Sequence, residues 1–429
     1  MKYFVNSSLM FFIYLIITSS CGINKPIAQI LKSKEISSKK LEKVLNIRTG
    51  AENIDAYLSL LSNKKIGVVT NQTGIISIPK KTGAVYGKNE IASGEYEEAN
   101  TNQSIIDYFI DSKIQVQKIF APEHGFRGMA DAGEHIVDGK DSKTGLQIIS
   151  LYGDNKKPKS EQFAGIEIIV LDLQDVGARF YTYISTLHYM MEACAENNIQ
   201  LLVLDRPNPN INIVDGPILE KEFKSFVGMH TIPLLHGMTI GEYAKMINGE
   251  KWLKNGIQCQ LKVIPCLNYS RIMNYSLPIK PSPNLPNDVS INLYASLCLF
   301  EGTNVSVGRG TETQFQVYGS PFLPKTNFSF VPVSNFGAKE PLYKNEICNG
   351  ELLTSYPKIN KLELKWLIKA YNSTQDKSKF FNTFFTKLAG TKKLQIQIEN
   401  SVTETEIRKS WKKGLENFKQ MRFKYLIYK

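Results

Sequence analysis

The sequence predicts an α/β protein, a layered parallel-sheet domain followed by a smaller C-terminal α/β domain. Three observations carry that prediction. Short apolar, β-branched runs alternate with helix-period segments across residues 65–249. A Pro/Asn-rich stretch at 278–288 interrupts the pattern. Beyond it come a Gly/Thr-rich loop, a predicted strand near 393–399 and a closing basic helix with Trp411, Leu415 and Phe418 on its docked face. At 429 residues, 42% hydrophobic and 10% aromatic, the chain can bury a substantial core, and global disorder is excluded.

At the N-terminus, Met1-Lys2, an apolar run at 9–17 and Thr18-Ser19-Ser20-Cys21 form a charged start, a short hydrophobic region and small residues before a cysteine. The run is short for a permanent membrane span. Residues 1–21 therefore read as a lipoprotein signal peptide, with Cys21 as the lipidation site. Residues 22–48, rich in Lys and Ser, read as a solvated tether. That places the protein in the cell envelope, lipid-anchored and facing the periplasm or exterior.

The net charge of +12 suggests a nucleic-acid binder until it is located. Residues 1–48 and 405–429 each hold eight Lys/Arg against two Glu, so the body between them is neutral. Nucleic acid is not an expected partner. Beyond Cys21 there are five cysteines (Cys194, Cys259, Cys266, Cys298, Cys348), an odd number with no C-x-x-C pair. That argues against a disulfide framework or a zinc ribbon and for buried free thiols.

Residues 65–71, 116–121, 167–173 and 200–205 read as buried parallel strands, with helices at about 101–112, 183–197 and 239–249. Each strand ends in a polar cluster. The first gives Asn71-Gln72-Thr73-Gly74 and the second Pro122-Glu123-His124-Gly125-Phe126-Arg127. The third gives the run from Asp172 to Tyr183, and the fourth Asp205-Arg206-Pro207-Asn208. In parallel α/β sheets ligands bind outside the carboxyl ends of the strands, so these four clusters converge in space.

Glu123 and His124 sit on a glycine-flanked turn, while Asp172, Asp175 and Asp205 gather at neighbouring strand ends. Grouped carboxylates raise one another's pKa, which suits glycoside hydrolysis, where one acid protonates the leaving oxygen. As a bland alternative, the three aspartates only cap loops. Arg127, Arg179 and Arg206 either neutralise these acids or clamp an anionic substrate. Tyr181 and Tyr183, with Phe180, stack on a sugar or pack in the core. The loop 301–312, with Glu301, Asn304 and Arg309, lacks a nucleotide-binding frame and reads as a binding loop closing the crevice. His135 and His188 read as structural, and His236, just before a helix start, as reaching the cleft. No G-x-S-x-G, H-E-x-x-H or G-x-x-x-x-G-K-[ST] occurs, and neither a cofactor nor a metal is expected.

At these residues the chain resembles a known family. APEHGFRG (121–128), ADAGE (130–134), LYG (151–153), DLQDVGARFYTYIST (172–186), LDRPNP (204–209), HGMTIGEYA (236–244), PSPNLP (281–286) and EGTNVSVGRGTE (301–312) resemble the NamZ-type exo-β-N-acetylmuramidases. The resemblance runs in order over nearly all of 50–429, departing at Val307 and Gln314. It implies a Rossmann-like catalytic domain over 49–280 and a C-terminal α/β domain over 281–429 closing the cleft. It also implies release of N-acetylmuramic acid from the non-reducing ends of peptidoglycan glycan chains. Glu123 is then the general acid, with Asp172, Asp175, Glu301 or the substrate's own 2-acetamido group in the partner role. His124, Arg127, Arg179, Tyr181, Tyr183, Arg206, His236, Glu301, Asn304 and Arg309 are the expected substrate contacts. Two alternatives stay open. One is a metal-dependent hydrolase using Glu123, His124, Asp172, Asp205 and His236. The other is a non-catalytic lipoprotein that binds cell-wall sugar.

Overall fold

The computed structural model describes residues 46–79, 100–127 and 138–429. Cys21 and its leader, nearly all of the tether, the 130–134 motif and His135 lie outside the described residues. Residues 47–429 form one compact unit.

A short helix, α1 (Leu58–Leu61), precedes the first strand, β1 (Lys65–Thr70), which leads into a hairpin of β2 (Ile75–Pro79) and β3 (Asn100–Ser104). Helix α2 (Ile105–Asp111) begins only after that hairpin, where the Ser104 side chain accepts from the Ile106 N–H as a cap. The helix expected from 101 is therefore shorter, because 101–104 pair with β2. Then come β4 (Gln115–Ala121), β5 (Gly139–Lys140), β6 (Gln147–Ser150), β7 (Ile168–Asp172), α3 (Tyr183–Glu196), β8 (Gln200–Leu204), α4 (Ile240–Gly249) and β9 (Leu261–Ile264).

Among the described residues the main sheet runs β5-β6-β4-β1-β7-β8-β9, all parallel except β5 against β6. Numbered by appearance, the six parallel strands have the order 3-2-1-4-5-6 of the Rossmann fold. The chain works outward from β1 to β6, then returns to β1's other side with β7. That reversal creates the crevice. The strands read correctly from sequence because they are buried on both faces. Along β7, Ile169 and Leu171 join one core cluster while Ile168 and Val170 join the other.

The remainder comprises α5 (Asp288–Leu297), a small antiparallel sheet of β10 (Val317–Ser320), β11 (Ser329–Phe330) and β12 (Cys348–Leu352), and helices α6 (Lys365–Ser373), α7 (Phe385–Ala389), α8 (Lys393–Glu399) and α9 (Glu404–Phe423). The strand expected near 393–399 is helix α8. Leu394, Ile396 and Ile398 alternate like a strand, yet Leu394 and Ile398 are buried while Ile396 is 44% exposed, which is the four-residue spacing of a helix face. Helix α9 buries Ile407, Trp411 and Phe418 and turns Lys409, Lys412, Lys413 and Lys419 outward. The N- and C-terminal parts share one hydrophobic core, in which Phe180 meets Tyr294 edge-on at 5.3 Å. The five cysteines of the body are buried and free.

Candidate active site

A cavity of about 750 Å³ is lined by Glu123, His124, Tyr152, Phe180 to Tyr183, Ser282, Asn284, Tyr294, Cys298, Glu301, Arg309, Phe315 and the segment 337–342, with Phe384 and Leu388. Its volume falls in the range of small-molecule sites. Glu123 leaves the carboxyl end of β4, and Thr182 stands in the loop after β7. Those strands flank β1 on opposite sides. The Thr182 hydroxyl donates to Glu123 Oε2 at 2.6 Å. Tyr152 hydrogen-bonds the same carboxyl, and burial together with that neighbouring charge pushes its phenol well above the usual range. A hydroxyl can donate to a carboxylate or accept from a carboxylic acid, so this seat suits both protonation states.

The turn that carries Glu123 is tight. His124 has φ +72, a left-handed conformation uncommon for a residue with a side chain, and Gly125 is next at φ +76 with its N–H on Pro122 O at 3.0 Å. The Asn71 amide, after β1, donates to the Tyr183 hydroxyl at 2.5 Å. The Tyr181 hydroxyl donates to Pro281 O at 2.7 Å, and the Gln72 amide reaches the same carbonyl at 3.4 Å. These contacts fix the 281–286 motif as a cavity wall.

The other strand-end residues are spent elsewhere. Asp172 takes Arg206 in a two-pronged ion pair at 2.6 and 2.9 Å, and Arg206 also donates to Ile75 O. Neither lines the cavity. Burial raises the Asp172 carboxyl, against the pull of Arg206. Asp175 Oδ2 accepts from the Gly177 N–H at 2.7 Å and lies 3.6 Å from His236 Nε2, both residues being buried behind the wall. Arg179 is fully buried, its donors on Pro217 O, Ile232 O and Leu388 O. Arg127 pairs with Asp141 at 2.5 Å, outside the cavity lining. Asn304 lines a different, smaller pocket. Of the residues expected at a substrate, Asp172, Asp175, Arg127, Arg179, Arg206, His236 and Asn304 do not line this cavity. Glu123, His124, Tyr181, Tyr183, Glu301 and Arg309 are brought together.

Tyr152, Thr182, Ser282, Asn284, Tyr294 and Phe315 join the lining without having been singled out by sequence reasoning. The first four lie inside the family motifs at 151–153, 172–186 and 281–286, so their signal is present in the sequence without a role attached. The five residues of the metal-hydrolase alternative do not converge, since Asp172 serves Arg206 and Asp205 serves Tyr428 and Thr239. Among the described residues no three His, Cys, Asp or Glu side chains group as a metal site.

The exo-β-N-acetylmuramidase NamZ N-terminal domain matches residues 66–289, and the corresponding C-terminal domain matches 292–428. The chain belongs to the NamZ family. Within that family, the peptidoglycan β-N-acetylmuramidase NamZ of Bacillus subtilis is 36% identical over 416 residues, covering 91% of this chain and 94% of that one. Two solved DUF1343-family proteins of Bacteroides fragilis share the fold. One is 41% identical with a TM-score of 0.78, over 90% of this chain and 99% of its own. The other is 26% identical with a TM-score of 0.69, over 89% and 99%. The family's two-domain division falls just after the Pro/Asn-rich stretch, and both halves supply cavity residues.

Proposed function

We propose that this protein hydrolyses the β-glycosidic bond of N-acetylmuramic acid at the non-reducing end of peptidoglycan glycan chains, with Glu123 as general acid. The observation that carries the reading is the Glu123 carboxyl, held by Thr182 and Tyr152 on the wall of a cavity at the strand-order reversal. The membership of the NamZ family supports the same chemistry over nearly the whole folded unit. Glu123 delivers its proton to the glycosidic oxygen as the anomeric bond breaks, and the two hydroxyls keep the carboxyl aimed through both protonation states. Tyr181, Tyr294 and Phe315 supply the aromatic wall against which a sugar ring packs.

With Asp172 and Asp175 withdrawn from the cavity, the attacking group is either water activated by Glu301 or the substrate's 2-acetamido oxygen. Proton NMR of the fresh product separates these routes, inversion marking the first and retention the second. Glu123→Gln in a folded protein is expected to lower turnover of a chromogenic β-N-acetylmuraminide by about a thousand-fold or more. Near-wild-type turnover would sink the assignment.

The reading includes a lipid anchor at Cys21, supported by the leader pattern and the basic tether. Among the described residues no helix is long and apolar enough to cross a membrane. Metabolic labelling with a palmitate analogue should mark the wild-type chain and not Cys21→Ala; labelling of both would refute the anchor.

A further inference from the structure

Four arginines are candidates for an anionic substrate, and the structure separates them. Arg127 is paired with Asp141, Arg179 is buried on three carbonyls, and Arg206 is clasped by Asp172. Arg309 alone of the four lines the cavity. It is held between Gly308 at φ +78 and Gly310 at φ +81, conformations that a side chain at either place would strain. Its Nε donates to Glu301 Oε1 at 2.5 Å, and its guanidinium carbon lies 5.0 Å from the Phe315 ring centroid.

The rest of that guanidinium is unused. Nη1 is buried with no acceptor, and Nη2 has none among the described residues, although the side chain is 22% exposed. A planar fork gripped at Nε, backed by an aromatic face and with its Nη donors left without acceptors is arranged to receive a carboxylate end-on. Glu301 is engaged in turn: Oε1 takes Arg309 and Oε2 accepts from the Cys298 thiol at 3.3 Å. Lys339 lines the same cavity.

N-acetylmuramic acid differs from N-acetylglucosamine by one group, a lactyl ether that ends in a carboxylate. We propose that the Nη pair of Arg309 receives this lactyl carboxylate and makes the cavity select N-acetylmuramic acid. Glu301 is then a positioning residue that orients the guanidinium. This assignment rests on the muramidase reading of the cavity.

Calorimetric titration of the full chain with free N-acetylmuramic acid, its lactyl methyl ester and N-acetylglucosamine tests it, alongside kcat and KM on the matching aryl β-glycosides. The wild type is expected to bind the acid about 10- to 100-fold more tightly than the ester, the worth of a charge-assisted pair. Arg309→Gln should erase that preference, and Arg309→Lys, which keeps the charge without the fork, should retain part of it. On the aryl muraminide the loss should fall on KM, with kcat near wild type. Glu301→Gln should raise KM by less and leave both limbs of the pH–rate profile in place. Equal binding of acid and ester by the wild type, or an undiminished preference in both Arg309 variants, would overturn the Arg309 assignment. Loss of a pH limb in Glu301→Gln would return Glu301 to proton transfer and overturn its positioning role. An Arg309-dependent preference without glycoside turnover would refute the muramidase reading alone. Turnover without that preference would refute this assignment alone.

Discussion

Glu123 owes its usefulness to two hydroxyls that no spacing rule pairs with it. Thr182 lies 59 positions away in the chain and donates to the carboxyl at 2.6 Å. Removing it as Thr182→Val keeps the side-chain shape and deletes the hydrogen bond. Turnover on a chromogenic muraminide is expected to fall about ten-fold, mainly in kcat, because the carboxyl loses its orientation. An unchanged kcat in the folded variant would show that Thr182 is incidental. The importance of Glu123 is readable in the sequence, because a carboxylate before a histidine and a glycine turn at a strand end is unusual. The fate of Asp172 is not. Its position at a strand end looks catalytic, and only its ion pair with Arg206, 34 positions away, shows that it serves the fold.

The C-terminal segment shows how one element fastens the rest. Asp205, at the end of β8, accepts from the Tyr428 hydroxyl and the Thr239 hydroxyl, each at 2.7 Å, and from the Gly241 N–H at 2.8 Å. One carboxylate thus holds the start of α4 and the end of the chain, and the LDRPNP motif is a clasp that lines no part of the Glu123 cavity. Tyr428→Phe is expected to lower unfolding stability by about 1–2 kcal/mol in a urea titration and to leave KM unchanged. A shift in KM without a loss of stability would contradict the clasp. Helix α8 owes its form to its neighbours in a similar way. Its apolar alternation imitates a strand, and a segment of seven residues is too short for periodicity alone to decide. The packing over Leu394 and Ile398, with Ile396 left exposed, makes the choice.

Across the molecule, α3 and α4 are joined by a buried histidine pair. His230 Nε2 meets His188 Nδ1 at 3.0 Å, and His230 Nδ1 meets the Tyr243 hydroxyl at 2.9 Å. Burial pushes His188 down to about 4 and His230 well below its ordinary 6.5. Both are neutral in the fold at neutral pH, whereas the unfolded chain takes up protons below about pH 6.5. Stability is therefore complete above that pH and is lost as pH falls towards 4, on the order of 3 kcal/mol for His188. The unfolding midpoint should drop between pH 6.5 and 4.5, and His188→Gln should flatten the drop. A wild-type midpoint that is level across this window would exclude the pair as its source.

The central strands, the polar clusters at their ends and the family motifs were all determined by sequence. Strands buried on both faces must be continuously apolar, and the turns after them must carry polar and glycine residues, so both leave marks in one dimension. Which charges face the cavity was decided only by the tertiary structure. Asp172, Asp175, Arg127, Arg179 and Arg206 find partners elsewhere in the fold, and a charge paired by the fold carries the same letter as one left for a ligand. Arg309 is distinguished from them by what it lacks, an acceptor for its Nη atoms among the described residues, and that became visible only once the chain had folded around it.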